Sequence, residues 1–110
     1  MLSVEIVAID GDNRRAARRR VRMPGRLTTS ASWRAVCRIA DISRYGVRLE
    51  TLNALPAGET LWITLPGERP IKARIAWADS QHAGCVFDRP IDRVIVDSLI
   101  ERFGVCPSLN

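Results

Sequence analysis

From Trp33 to Phe87 apolar and polar residues alternate in short runs with the period of two that a half-buried strand imposes. Trp33, Ala35, Cys37, Ile39 and Asp41 fall on one face of the first clear run, with Arg34, Val36, Arg38, Ala40 and Ile42 on the other. After a turn at Ser43-Arg44-Tyr45-Gly46, Val47, Leu49 and Thr51 alternate with Arg48 and Glu50, so these two runs predict a hairpin. Pro56 and Gly58 mark a loop, and Leu61 to Leu65 predicts a strand stopped by Pro66-Gly67. Ile71, Ala73, Ile75 and Trp77 then alternate with Lys72, Arg74 and Ala76, and Gly84 to Phe87 predicts a last strand. Ahead of all these, Arg26 to Thr29 predicts a short strand that ends at the small-residue turn Ser30 to Ser32. Six strands at this spacing predict a mostly β fold, a closed antiparallel barrel, because closure leaves no edge exposed.

The period changes after Phe87. Ile91, Val94, Ile95, Leu99, Ile100 and Phe103 recur at helical spacing, which predicts one helix over about residues 90 to 103. Asp88 is the expected N-cap, Pro90 falls in the first turn, and Gly104 is the stop. The apolar face of this helix is expected to pack across the barrel, and pairing with a second copy in a homodimer is the other use open to it. The chain divides into an N-terminal extension, residues 1–13, which closes on the turn Asp10 to Asn13, a single domain over residues 14–104, and a tail, residues 105–110.

Composition narrows the function classes. The chain is 46% hydrophobic and 26% charged, and no apolar run approaches the roughly 18 residues that span a bilayer, so no membrane insertion is expected. Met1 to Ile9 carries Glu5 and lacks both a basic leader and a small-residue cleavage site, so cytoplasmic location is expected. Cys37, Cys85 and Cys106 have no C-x-x-C spacing, and His82, the one histidine, has no nearby ligand partner, which predicts no metal and no cofactor. Cys37 and Cys85 sit in alternating apolar runs and read as buried, reduced thiols. His82 beside Asp79 and Ser80 reads as a solvated turn residue, and no nucleophile and base pair stands out, so the chain does not read as an enzyme.

The net charge of +5 conceals an uneven distribution. Arg14 to Arg26, the arginine arm, holds seven arginines and no acid, while the rest of the chain has ten basic and twelve acidic residues. The arm is therefore a basic patch on a nearly neutral domain. Sixteen of the seventeen basic residues are arginine, whose planar fork makes bidentate hydrogen bonds to phosphate or to a guanine edge. The spacing R-x-x-x-R occurs as Arg14/Arg18, Arg15/Arg19, Arg18/Arg22 and Arg22/Arg26, so by itself it selects no pair.

A second element adds specificity. Asp41-Ile42-Ser43-Arg44-Tyr45-Gly46 matches D-x-S-x-x-G and begins at the end of a predicted strand. An arginine pair followed a couple of dozen residues later by such a turn resembles the PilZ domains, and the resemblance extends from Arg14 to Phe103. Val21 to Leu27, Ile75-Ala76-Trp77 and Gly84-Cys85-Val86-Phe87 add to it. It implies the PilZ architecture, a six-stranded antiparallel β-barrel with a C-terminal α-helix, and it implies binding of cyclic di-GMP, a ligand with two guanines and two phosphates. The ligand-binding residues so implied are Arg14, Arg15, Arg18, Arg19, Asp41, Ser43 and Gly46. Pro24 favours the pair Arg14 and Arg18, with Arg15 and Arg19 one step away.

The residue types suit that ligand. Arginine can bond the O6/N7 edge of guanine, contact phosphate or stack on the base. The Asp41 carboxylate can accept from guanine N1–H and N2–H, and the Ser43 hydroxyl can donate or accept. Gly46 permits a tight turn with close backbone approach. The structural alternative is that Asp41 and Ser43 cap a hairpin turn and Gly46 supplies a positive φ. The leading expectation is a receptor that orders its arm on binding cyclic di-GMP and signals to a downstream protein partner. A PilZ-like interaction adaptor without ligand is the alternative. An arginine-arm nucleic-acid binder ranks below both, because Trp33, Trp62 and Trp77 occupy core-like positions and leave no aromatic stacking surface.

Overall fold

The computed structural model describes residues 18–30, 34–52 and 54–105. They form six strands and one helix: β1 (Arg19–Thr29), β2 (Arg34–Ile42), β3 (Gly46–Glu50), β4 (Thr60–Thr64), β5 (Ile71–Ala78), β6 (His82–Phe87) and α1 (Arg93–Phe103). The strands close into a barrel in the order β1-β2-β3-β6-β5-β4, every neighbouring pair antiparallel. The six-stranded closed antiparallel barrel and the C-terminal helix that the alternation and the resemblance imply are both present.

Inward-pointing residues fill the barrel: Met23, Leu27, Ile39, Ile42, Val47, Leu49, Leu61, Ile63 and Ile75 are all buried. Burial of branched apolar side chains at this density is what holds the strands in register, since a slip of one residue would turn each of them to solvent.

Three elements differ from the sequence expectation. β1 is far longer than Arg26–Thr29 and takes in the arginine segment from Arg19 onward. Val21, Met23, Gly25 and Leu27 point inward while Arg20, Arg22, Pro24 and Arg26 point out, so most of the arm is a barrel strand rather than a separate segment. Pro24 pairs with Arg38 of β2, and the ladder between β1 and β4 begins only at Arg26, so Pro24 has a strand neighbour on one side, the edge-like setting that tolerates proline. Arg14 and Arg15 lie outside the described residues, as does Trp33.

In β2 the alternation breaks at a bulge. Ile39 pairs with Leu49 and Asp41 with Arg48, which leaves Ala40 as the extra residue. The parity flips at that point: Ile42 points into the core opposite Val47, and Asp41, grouped by its alternation with Ile39, faces outward beside Arg48.

The helix begins later than Asp88. Asp92 is the N-cap, its carboxylate accepting from the Val94 N–H at 2.9 Å, while the Asp88 N–H donates to the Lys72 carbonyl. Residues 88–91 are a connection, fixed by the Ile91 N–H donating to the Arg44 carbonyl. Val96 and Leu99 are buried and Ile95, Ile100 and Phe103 pack against the core, whereas Val94 is exposed. Gly104 ends the helix by donating to the Ile100 carbonyl. The chain then runs onto β1, Gly104 bridging Val21 and the Val105 N–H donating to the Arg20 carbonyl at 3.0 Å. No helix among the described residues is long and apolar enough to cross a membrane.

Candidate functional site

The turn between β2 and β3 is held from several directions. The Ser43 N–H donates to the Gly46 carbonyl at 2.9 Å, and the Ser43 hydroxyl oxygen accepts from the Tyr45 N–H at 3.1 Å. The Arg44 Nε–H donates to the Ile91 carbonyl at 3.0 Å, answering the bond from the Ile91 N–H to the Arg44 carbonyl. The Phe87 N–H donates to the Tyr45 carbonyl. Ser43 is thus a buried staple of the turn, as the structural alternative for this residue describes.

Gly46 is needed for a different reason from that alternative. Its φ is not positive; the positive-φ glycines among the described residues are Gly58 and Gly67. A Cβ at Gly46 would collide with the Cys85 carbonyl oxygen across the β3–β6 ladder, so close backbone approach disfavours any other residue.

This rigid turn presents Asp41 at the end of β2, where it meets two arginines. Arg18 Nη1 donates to Asp41 Oδ1 at 2.8 Å, and Arg48 Nε donates to Oδ2 at 2.8 Å, so each carboxylate oxygen is taken by a different guanidinium. The side chains of Arg18 and Asp41 are 3% and 5% exposed, that of Arg48 is 28% exposed. Burial lowers the Arg18 guanidinium from its ordinary value, Asp41 opposes that shift by charge and hydrogen bond, and the neighbouring positive charge of Arg48 adds to it. Arg18 Nε is buried, with no hydrogen-bond partner among the described residues. The trio therefore holds two cations on one anion, with one donor left over.

Beside the trio lies a cavity of about 600 Å³ whose lining includes Arg18, Arg19, Arg20, Arg22, Arg38 and Arg48, with Glu50 the acid among its lining residues. Glu50 is engaged by Arg38 at 3.6 Å in a largely exposed pair of little energetic weight. Val105, which follows the helix, closes one side. A concave surface with this donor set is chemically suited to anions and to the acceptor edges of purines, with the planar guanidinium fork as the recognising group.

Arg18, Arg19 and Asp41 are therefore gathered at one place, while Ser43 and Gly46 shape the turn behind it. Arg20, Arg22, Arg38 and Arg48 also belong to the cavity but fall outside the residues singled out in the sequence. For Arg48 a signal was available, because a hairpin that pairs Ile42 with Val47 necessarily sets Asp41 against Arg48.

The remaining candidates behave as side chains of the framework. Cys85 is buried and Cys37 half-buried, both free; burial pushes their thiols up to about 12 and about 11, so neither is a nucleophile at neutral pH. His82 opens β6 just after a turn capped by Asp79, which accepts from the Gln81 and His82 N–H groups. Trp62 and Trp77 are half-buried on the outer surface of β4 and β5 rather than in the core: Trp62 alternates with the inward Leu61 and Ile63, and a register shift between Ile75 and Trp77 sets Trp77 opposite Gly84 instead of on the inward face of Ile75. Trp77 lies over Gly84 of the neighbouring strand. Neither tryptophan lines the arginine cavity.

Among solved structures, the chain is similar to one described as the crystal structure of the PilZ domain of CeSA from a cellulose-synthesizing bacterium. The two share 20% sequence identity with a TM-score of 0.56, over 78% of this chain and 92% of that one, a likeness of fold. A comparison with curated proteins returns no match. The family model for the PilZ domain matches residues 12–103, which takes in the arginines from Arg14 on, the Asp41 turn, the barrel and the helix, and the chain accordingly belongs to the PilZ domain family, a family of cyclic di-GMP receptors.

Proposed function

We propose that this chain binds cyclic di-GMP in the arginine-lined cavity and passes the bound state to a protein partner. The observation that carries the reading is the Arg18–Asp41 pair, a buried guanidinium whose Nε has no partner among the described residues, at the wall of a cavity lined by five further arginines. Arg14 and Arg15, just ahead of it in the chain, supply two more forks for the ligand's phosphates and guanine edges. Within the arginine segment Asp41 holds Arg18, while Arg19 is exposed on β1, and this supports Arg14 and Arg18 over Arg15 and Arg19 as the working pair. Ser43 and Gly46 contribute by keeping the turn, and hence Asp41, in place. Arg19 to Arg26 already lie in β1, so the change on binding does not consist in ordering that part of the arm. The site needs no cofactor and no catalytic group, and a cytoplasmic location suits a receptor for an intracellular messenger.

Titration calorimetry of the full chain with cyclic di-GMP tests this. Saturable binding at micromolar concentration or below is expected, with a raised melting temperature. No heat and no thermal shift at ligand concentrations far above micromolar would end the proposal. Arg18→Ala is expected to weaken binding at least tenfold while leaving a folded barrel, read by circular dichroism.

A further inference from the structure

Arg18 lines the cavity, but from the position it holds it offers a ligand little of its fork. Its side chain is 3% exposed, one of its terminal nitrogens is committed to Asp41, and its Nε faces no acceptor among the described residues. To meet a dinucleotide in the cavity the guanidinium must leave the carboxylate. Departure would strand Asp41, a carboxylate 4% exposed, unless something else kept it paired, since an unpartnered buried charge is strongly disfavoured. Arg48 is placed to do that. It sits directly across the β2–β3 ladder from Asp41, bonds the other oxygen through Nε at 2.8 Å, and is fixed by a strand rather than by the segment ahead of β1.

Resting on the cyclic di-GMP reading above, we propose that Arg48 is a positioning residue for ligand binding: it retains Asp41 as its partner while Arg18 transfers from that carboxylate to the ligand. The two arginines divide one carboxylate between them so that one can be withdrawn. Arg18 is the one withdrawn, because it stands outside the barrel strands, one residue before β1, and because its buried Nε donor has no acceptor among the described residues. Arg48, bonded through Nε and partly solvated, has less to gain by moving. The role asks only for a cation at that distance from Oδ2, so lysine should fill it where methionine, of similar length and no charge, should not.

The test uses cyclic di-GMP as probe on the full chain, by calorimetry and by ¹⁵N-detected side-chain spectra of the arginine Nε–H groups. Arg48→Met is expected to weaken binding at least tenfold, and Arg48→Lys to recover affinity to within about threefold of the native chain. In the native chain the Arg48 Nε–H resonance is expected to stay protected from solvent exchange in both free and saturated protein, while the Arg18 signals shift. Native affinity in Arg48→Met would overturn the proposal. So would equal loss in the methionine and lysine variants, which would make Arg48 a direct ligand contact through its own fork, or loss of Arg48 Nε–H protection on saturation. Should Arg48→Met fail to fold, the lysine variant and the native spectra decide the matter. If the native chain does not bind cyclic di-GMP at all, the functional reading fails and this one with it, whereas binding by the native chain with an unaffected Arg48→Met sinks the positioning role alone.

Discussion

Gly46 and Gly84 both sit where a Cβ would meet other atoms, yet the neighbours differ in kind and so should the consequences of substitution. At Gly46 the obstacle is the Cys85 carbonyl oxygen, backbone of the next strand, which cannot move without breaking the β3–β6 ladder. At Gly84 it is the indole of Trp77, the far end of a side chain on the outer wall. Gly46→Ala is therefore expected to cost about 1–3 kcal/mol, the range for overpacking a close-packed site, and to disturb Asp41 through the turn it closes. Gly84→Ala should cost less than Gly46→Ala and show itself as a change in tryptophan fluorescence as the ring is displaced. Chemical denaturation of both variants, with emission recorded, checks the contrast; equal losses with unchanged fluorescence would refute it. Part of this was legible beforehand: the D-x-S-x-x-G spacing marks the turn, and close approach at Gly46 is among the reasons a glycine sits there. The collision partner was not legible, because Cys85 lies on a strand that neighbours β3 only once the barrel closes.

Among the elements, the expectation placed β2 to β6 from their alternation, and it failed over most of β1 and where a local irregularity changed the parity. The alternation Val21, Met23, Gly25, Leu27 against arginine is as regular as any other in the chain, but a glycine and a proline within it and its density of charge disguise β1 as a loop or arm. The bulge at Ala40 leaves no mark in the pattern beyond two consecutive apolar residues, and it is this bulge that carries Asp41 out to the arginines. At the helix start Asp88 and Asp92 both offer a capping carboxylate just before a helical period, and only the tie between Ile91 and Arg44 decides between them. The choice is testable. Asp92→Ala removes the acceptor for the Val94 N–H and should lower stability by about 1 kcal/mol, the usual value for a lost N-cap. Asp88→Ala leaves the bond from its backbone N–H to Lys72 in place and should stay within about 0.5 kcal/mol of the native chain, as surface substitutions do. Urea unfolding of the two variants side by side reads the difference, and a larger loss at Asp88 would restore the earlier boundary.

For the molecule as a whole, the decisive property is that positive charge is concentrated in a concavity rather than spread over a face. Six arginines from β1, its approach, β2 and β3 line one cavity of about 600 Å³, and the C-terminal end of α1 is stitched to β1 beside them through Gly104 and Val105. A small dianion that fits inside meets several forks at once, while a long polynucleotide reaches only those at the rim. The salt dependence of binding separates these cases. A ligand with two phosphates displaces at most two counterions' worth of charge, so raising salt from about 50 to about 200 mM should weaken cyclic di-GMP by no more than roughly tenfold. A polynucleotide contacting all six arginines would lose on the order of a few hundredfold over the same range. Fluorescence anisotropy with labelled cyclic di-GMP and with labelled single-stranded RNA, each titrated across the salt series, gives both slopes. A shallow slope for the dinucleotide beside weak, steep binding of RNA fits a cavity that selects by shape. A steep slope for RNA together with tighter affinity than the dinucleotide at every salt concentration would instead make the arginines a nucleic-acid surface, and the half-buried Trp62 and Trp77 on the outer wall would then be the first residues to test for base stacking.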